Sequence, residues 1–217
     1  MTRTISLREP SKGEFAADGV VHAVGIVAAV AGVIVLIAMI AVRSGLVELV
    51  TASIYAAGLL TMLGFSAAYN LAPASRYREL FRRFDHAAIF IMIAGTYTPF
   101  TILGLEGAWE IGLITLIWGI ALFGFVLKIL LPRRLDGFST AIYLLLGWTG
   151  LIAVQQFVAV FDTSILVLLL IGGLLYSIGT IFHLWRKLPY QNAIWHGFVV
   201  AAAAVHYSAV VDLVIHS

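Results

Sequence analysis

Two imidazoles stand ten residues apart in the closing stretch "YQNAIWHGFVVAAAAVHYSAVVDLVIHS", at His196 and His206. The run around them is apolar and long enough to cross a bilayer, where an ionisable side chain is costly to bury and is a candidate for function. A histidine at such depth can ligate a metal, move a proton, or serve as a neutral donor and acceptor between helices. Ten residues of helix span about 15 Å, so the two rings cannot hold the same ion. His206 lies deeper and reads as a neutral imidazole hydrogen-bonded across a helix interface.

Other polar residues fall into the same pattern. Glu14, Asp18 and His22 lead into one apolar run, Ser66 and Asn70 close the next, and Asp85 and His86 open a third. His183 ends a later run, and Asn192 and His196 open the last. Asp18 and His22, Ser66 and Asn70, and Asn192 and His196 are each four apart, so each pair shares one helix face. Polar groups distant in sequence thus reach one depth, as a site between helices requires. The plainer reading is that they cap helix ends and anchor them at the interface.

Composition defines the elements that must position them. Hydrophobic residues make up 62% of the 217 and charged residues 11%, with a mean hydropathy of +1.04, which is the profile of an integral membrane protein rather than a soluble domain. Runs of about 20 apolar residues fall near 20–42, 47–70, 86–104, 109–131, 138–160, 163–185 and 193–215. The expected fold is therefore all-α, a single seven-transmembrane-helix bundle over 1–217, with 1–19 as a short N-terminal segment. The first run is too long for a signal peptide, and no small-residue cleavage pattern follows it. Cysteine is absent, which excludes disulfides and thiolate chemistry. "VVAAAAV", "GWTG" and "IGG" read as places where helices pack closely. Pro99 predicts a kink in the third span, with Thr96 and Thr98 hydroxyls taking up freed carbonyls.

Lys and Arg set the expected orientation. Twelve of the thirteen flank the same ends of the spans, and Arg43 alone lies at the other. The positive-inside rule then places the N-terminus in the cytoplasm and the C-terminus outside. A reporter tag on the N-terminus is expected to read cytoplasmic and one on the C-terminus external; a cytoplasmic C-terminus would refute the orientation. The basic residues are spread over short loops, so nucleic-acid binding is not supported. No lysine lies within the last span to form a retinal Schiff base, and the orientation is opposite to that of G-protein-coupled receptors.

The strings "FSAAYN", "RRFDHAAIFIMIAGTYTPF" and "YQNAIWHGFVVAAAAVH", with "GEFAADGVVHAVG" at the start, resemble the bacterial hemolysin III branch of the progestin and adipoQ receptor (PAQR) family. The resemblance implies seven helices with a cytoplasmic N-terminus, and a distant kinship to alkaline ceramidases. It also implies a zinc site of three histidines beside a Ser and an Asp. On the family pattern the Ser is Ser66, the Asp is Asp85 and the last histidine is His196, while Asn70 and Asn192 occupy the other two ligand positions. A neutral amide is a poor zinc ligand, so one remaining histidine is not expected to hold zinc tightly. Asn70, Asn192, Ser66, Asp85 and His196 could persist as a hydrogen-bonded polar site without metal. Alternatively His183, His22 or His86 supplies the missing imidazoles, although His183 in "FHLWRK" reads more simply as an interfacial residue beside a Trp anchor.

Three function classes follow. The first is a lipid-sensing or receptor-like membrane protein with a degenerate zinc site, and membrane lipids as its partners. The second is a zinc-dependent hydrolase of a lipid amide, in which Asp85 would orient or deprotonate a metal-bound water and Ser66 or Asn70 would polarise the carbonyl. The third is a pore-forming or transporter-like protein. The expected location is a bacterial inner membrane, crossed several times.

Overall fold

Ser11 and Glu14 start the first helix. In this computed structural model, which describes residues 11–43, 45–72, 75–131 and 136–216, the Ser11 amide donates to Glu14 Oε2 at 2.7 Å and the Glu14 amide donates to Ser11 Oγ at 3.2 Å. This reciprocal capping box satisfies two otherwise orphaned donors, so helix α1 (Lys12–Arg43) begins well before its apolar run. The extension adds the turn that carries Asp18, one turn before His22. Arg3, Arg8, Arg133 and Arg134, used above to orient the chain, lie outside the described residues.

The helices that follow are α2 (Leu46–Asn70), α3 (Arg78–Gly104), α4 (Gly107–Leu130), α5 (Asp136–Gly147), α6 (Val154–Val160), α7 (Thr163–Leu184) and α8 (Gln191–His216). Helices α5 and α6, joined by a 3-10 turn at Thr149–Ala153, together make one span, so among the described residues seven helical segments are long and apolar enough to cross a membrane. The chain is an integral, multi-pass membrane protein. At 1.5 Å per residue the 22-residue α7 spans about 33 Å, enough for a hydrocarbon core of about 30 Å.

Burial runs inside out relative to a soluble protein. On α1, Val20, Val27 and Ile34 are more than half exposed, while Asp18 and His22 are 4% and 3% exposed. Lipid can cover the valines, and the bundle interior must satisfy the polar pair. Helix α1 packs between α2 and α8 and closes the bundle. Helices α2 and α3 form the most extensive pair, because glycines on each let the backbones approach. A Cβ at Gly58 would stand 3.3 Å from the Ile91 carbonyl oxygen, and one at Gly95 would stand 3.2 Å from that of Ile54.

The expected kink at Pro99 is not where the helical pattern breaks. Helix α3 runs through Pro99, and the Thr98 and Thr96 hydroxyls donate to Ala94 and Met92, each four residues back, rather than to the Gly95 carbonyl that Pro99 leaves without its usual donor. The break lies in the fifth span. There the Tyr97 hydroxyl donates to the Gly147 carbonyl at 2.6 Å and accepts from the Gly150 amide at 2.8 Å. A side chain inserted into the backbone ladder is a recognised cause of a helix break. Trp148 Nε1 then donates to Ser177 Oγ at 3.0 Å on α7, which assigns "GWTG" to packing.

Tyr97→Phe keeps the ring and removes both bonds. It is expected to cost about 0.5–1.5 kcal/mol per hydrogen bond lost. Thermal melting in detergent measures the loss, and amide exchange at Gly150 should accelerate. Unchanged exchange there would show that Tyr97 does not pin the break.

Candidate functional site

The capping carboxylate also ties the two ends of the bundle wall together. Glu14 Oε1 accepts from the Tyr190 amide at 2.8 Å, in the left-handed turn that starts α8 (Tyr190 φ 58°). That contact draws the first turns of α8 against α1, and with them His196 against Asp18. Asp18 Oδ1 lies 2.6 Å from His196 Nδ1, both side chains being buried. His22, one turn after Asp18, places Nδ1 2.9 Å from the Asp18 backbone carbonyl.

These contacts set the tautomers. Only an N–H satisfies a carbonyl oxygen or a carboxylate, so Nδ1 carries the proton on both rings. In the neutral rings each Nε2 is then left as a lone pair. Both lone pairs aim at the same hydroxyl: His22 Nε2 is 3.2 Å and His196 Nε2 3.5 Å from Ser66 Oγ, with ring centroids 4.4 Å apart. Asp85 on α3 lines the same cavity as Ser66. Ser66 has one proton for the two imidazole acceptors. The point where they meet therefore favours an N–H or O–H donor, or a cation.

The residues singled out from the sequence divide into two groups. Ser66, His196 and His22 meet at one point, and Asp85 lines the cavity with them. Asn70 joins them through Nδ2, which donates to the Ser66 carbonyl at 2.9 Å and lies 3.5 Å from Ser66 Oγ. Asn192 is exposed, one turn before His196. His86 lies beside Asp85, 4.0 Å from its carboxylate, and His183 packs on Trp195 with ring centroids 4.9 Å apart. Neither belongs to the group whose ligand atoms cluster within 4.8 Å, which among the described residues is Asp18, His22 and His196. Asp18 was not among the site residues singled out from the sequence. Its spacing to His22 was visible, but only the approach of α8 reveals its partner.

This donor set bears on zinc. The family ligand positions do not fit it, because Asn70 turns a donor N–H toward the site and Asn192 is exposed. The α1 and α8 imidazoles suit a metal better. His22 Nε2 and His196 Nε2 would be the ligands, with Asp18 behind His196 as the carboxylate that orients a metal-bound histidine.

The cluster forms one wall of a cavity of about 1130 Å³. Lys12, Arg78 and Arg186 line it near the basic ends of the helices; farther in, Met92, Ile93 and Trp148 make it apolar. The family model described as haemolysin-III related matches residues 16–207. The chain belongs to that family. This haemolysin-III-related chain is 33% identical over 194 residues to a hemolysin-3 homolog of Bacillus subtilis, covering 89% of this chain and 91% of the relative. It is 33% identical to the hemolysin-3 of Bacillus cereus over 199 residues, 92% of this chain and 91% of that one. The human monocyte to macrophage differentiation factor is 29% identical over 208 residues, 93% of this chain and 85% of its own length. These similarities support the PAQR grouping that the motif strings indicated.

Proposed function

We propose that this chain is a lipid-sensing, receptor-like membrane protein whose cavity takes a single-chain amphiphile, with the head group at Ser66, His22 and His196. The observation that carries the reading is a cavity of about 1130 Å³ that passes the polar cluster and continues between apolar walls. That volume of about 1130 Å³ lies just above the roughly 300–1,000 Å³ of ordinary ligand pockets. The surplus of acceptors selects a head group that donates: an amide N–H, a hydroxyl or an ammonium. The charge bias supports a cytoplasmic opening, and the membrane is proposed to be the inner membrane of a bacterium.

Native mass spectrometry of the purified protein tests it. A co-purified single-chain lipid is expected, displaced by long-chain primary amides. Ile93→Trp, which fills the apolar arm, should abolish binding while the protein stays folded. Binding that is indifferent to Ile93→Trp would overturn the proposal.

A second reading is a hydrolase of a lipid amide, supported by the two convergent Nε2 lone pairs. A metal held by His22 and His196 would supply a Lewis acid and a water of lowered pKa there. Asp85 and Ser66 stand where they could hold a proton and the amide oxygen. Metal analysis of wild-type protein after chelation, paired with release of fatty acid from an amide, distinguishes this reading from the first.

A further inference from the structure

Two polar groups deeper in the bundle do no work in the site described above. His206 on α8 places Nε2 3.2 Å from the Leu169 carbonyl of α7, so Nε2 carries the proton and Nδ1 is left as an acceptor. Nδ1 is buried with no hydrogen-bond partner, and so is the hydroxyl of Tyr176. The two rings are neighbours, with centroids 5.7 Å apart at 49°, yet the hydroxyl does not reach the imidazole. Both residues line the cavity. Buried polar groups are almost always paired, so an acceptor and a donor left together on one cavity wall call for an explanation.

Packing holds them there. A Cβ at Gly172 would lie 2.2 Å from the His206 ring, so the imidazole fills a notch that only glycine leaves. Tyr55, wholly buried, offers a second hydroxyl without a partner. Tyr207 is already committed, donating to the Gly32 carbonyl at 2.8 Å. The bundle therefore contains a donor and acceptor pair ten residues along α8 from His196, about 15 Å deeper.

We infer that His206 Nδ1 and the Tyr176 hydroxyl form a second polar subsite, which recognises a hydroxyl carried on the chain of the bound amphiphile about 15 Å from its head group. The inference rests on the lipid-binding reading and deepens it. A hydroxyl satisfies both groups, donating to Nδ1 and accepting from Tyr176, and a plain hydrocarbon satisfies neither. The site thus favours an oxygenated chain over an unsubstituted one, because the latter leaves both protein groups desolvated and unpaired.

The test is competition binding to the full-length protein in detergent, using primary fatty amides of one chain length with a hydroxyl at successive carbons, beside the unsubstituted amide. Wild type should prefer one distal hydroxyl position by about tenfold. Tyr176→Phe, which removes only the hydroxyl, should reduce that preference several-fold, chiefly by weakening the hydroxylated amide and without weakening the unsubstituted one. His206→Phe should do the same, provided its melting curve matches wild type. Equal affinity for all the amides, or a preference that survives Tyr176→Phe, would overturn the subsite while leaving the lipid-binding reading intact. No binding of any amide would overturn both.

Discussion

Asp18→Ala is expected to destabilise the purified protein by about 1–3 kcal/mol, the cost of one buried hydrogen-bonding group left unpaired. The substitution removes the oxygen 2.6 Å from His196 Nδ1 and leaves that nitrogen in the bundle interior. His22 keeps the nearer partner of its Nδ1, the backbone carbonyl of residue 18 at 2.9 Å, and loses the Asp18 carboxylate at 3.5 Å. Asp18→Asn should be milder, since the amide oxygen can still accept from Nδ1. Asp85→Ala should also be milder, because the Asp85 side chain is 15% exposed against 6% for Asp18, and water replaces part of what is lost. Thermal melting of the three variants in one detergent ranks them. A loss for Asp85→Ala as large as that for Asp18→Ala would mean that α3, not α1, holds the cluster together.

Asn70→His is expected to create tight zinc binding by itself. The Asn70 side chain already reaches to 3.5 Å from Ser66 Oγ, the atom on which both Nε2 lone pairs converge. A third imidazole there completes three nitrogen ligands, with the fourth tetrahedral position left to water or substrate. His22 takes the part that Asn192 cannot, so Asn192→His alone should do little. Wild type should lose zinc to a chelator, whereas Asn70→His should retain about one zinc per chain and melt higher when zinc is supplied. Stabilisation of about 2.7 kcal/mol is expected when free zinc is a hundredfold above its dissociation constant. Adding His22→Ala to Asn70→His should abolish the effect. Stoichiometric zinc retained by wild type after chelation would refute this prediction and favour the hydrolase reading.

The sequence by itself determined the class, the seven spans and the family. Apolar runs of bilayer length are a one-dimensional signal, because in hydrocarbon each span must satisfy its own backbone. It also showed that Ser66, Asn70, Asp85, Asn192 and His196 share one end of the bundle, since depth in a membrane can be counted along the chain. Tertiary structure decided which of them face one another. Asp18 became the partner of His196 because a capping box lengthened α1 and the Glu14 carboxylate held the turn at Tyr190 against it, a contact across 176 residues. The helix break fell at Gly147 rather than at Pro99 because the Tyr97 hydroxyl enters the ladder of a different span. Depth follows from composition, but azimuth, the direction each polar group faces around its helix, is set by the neighbours that pack against it.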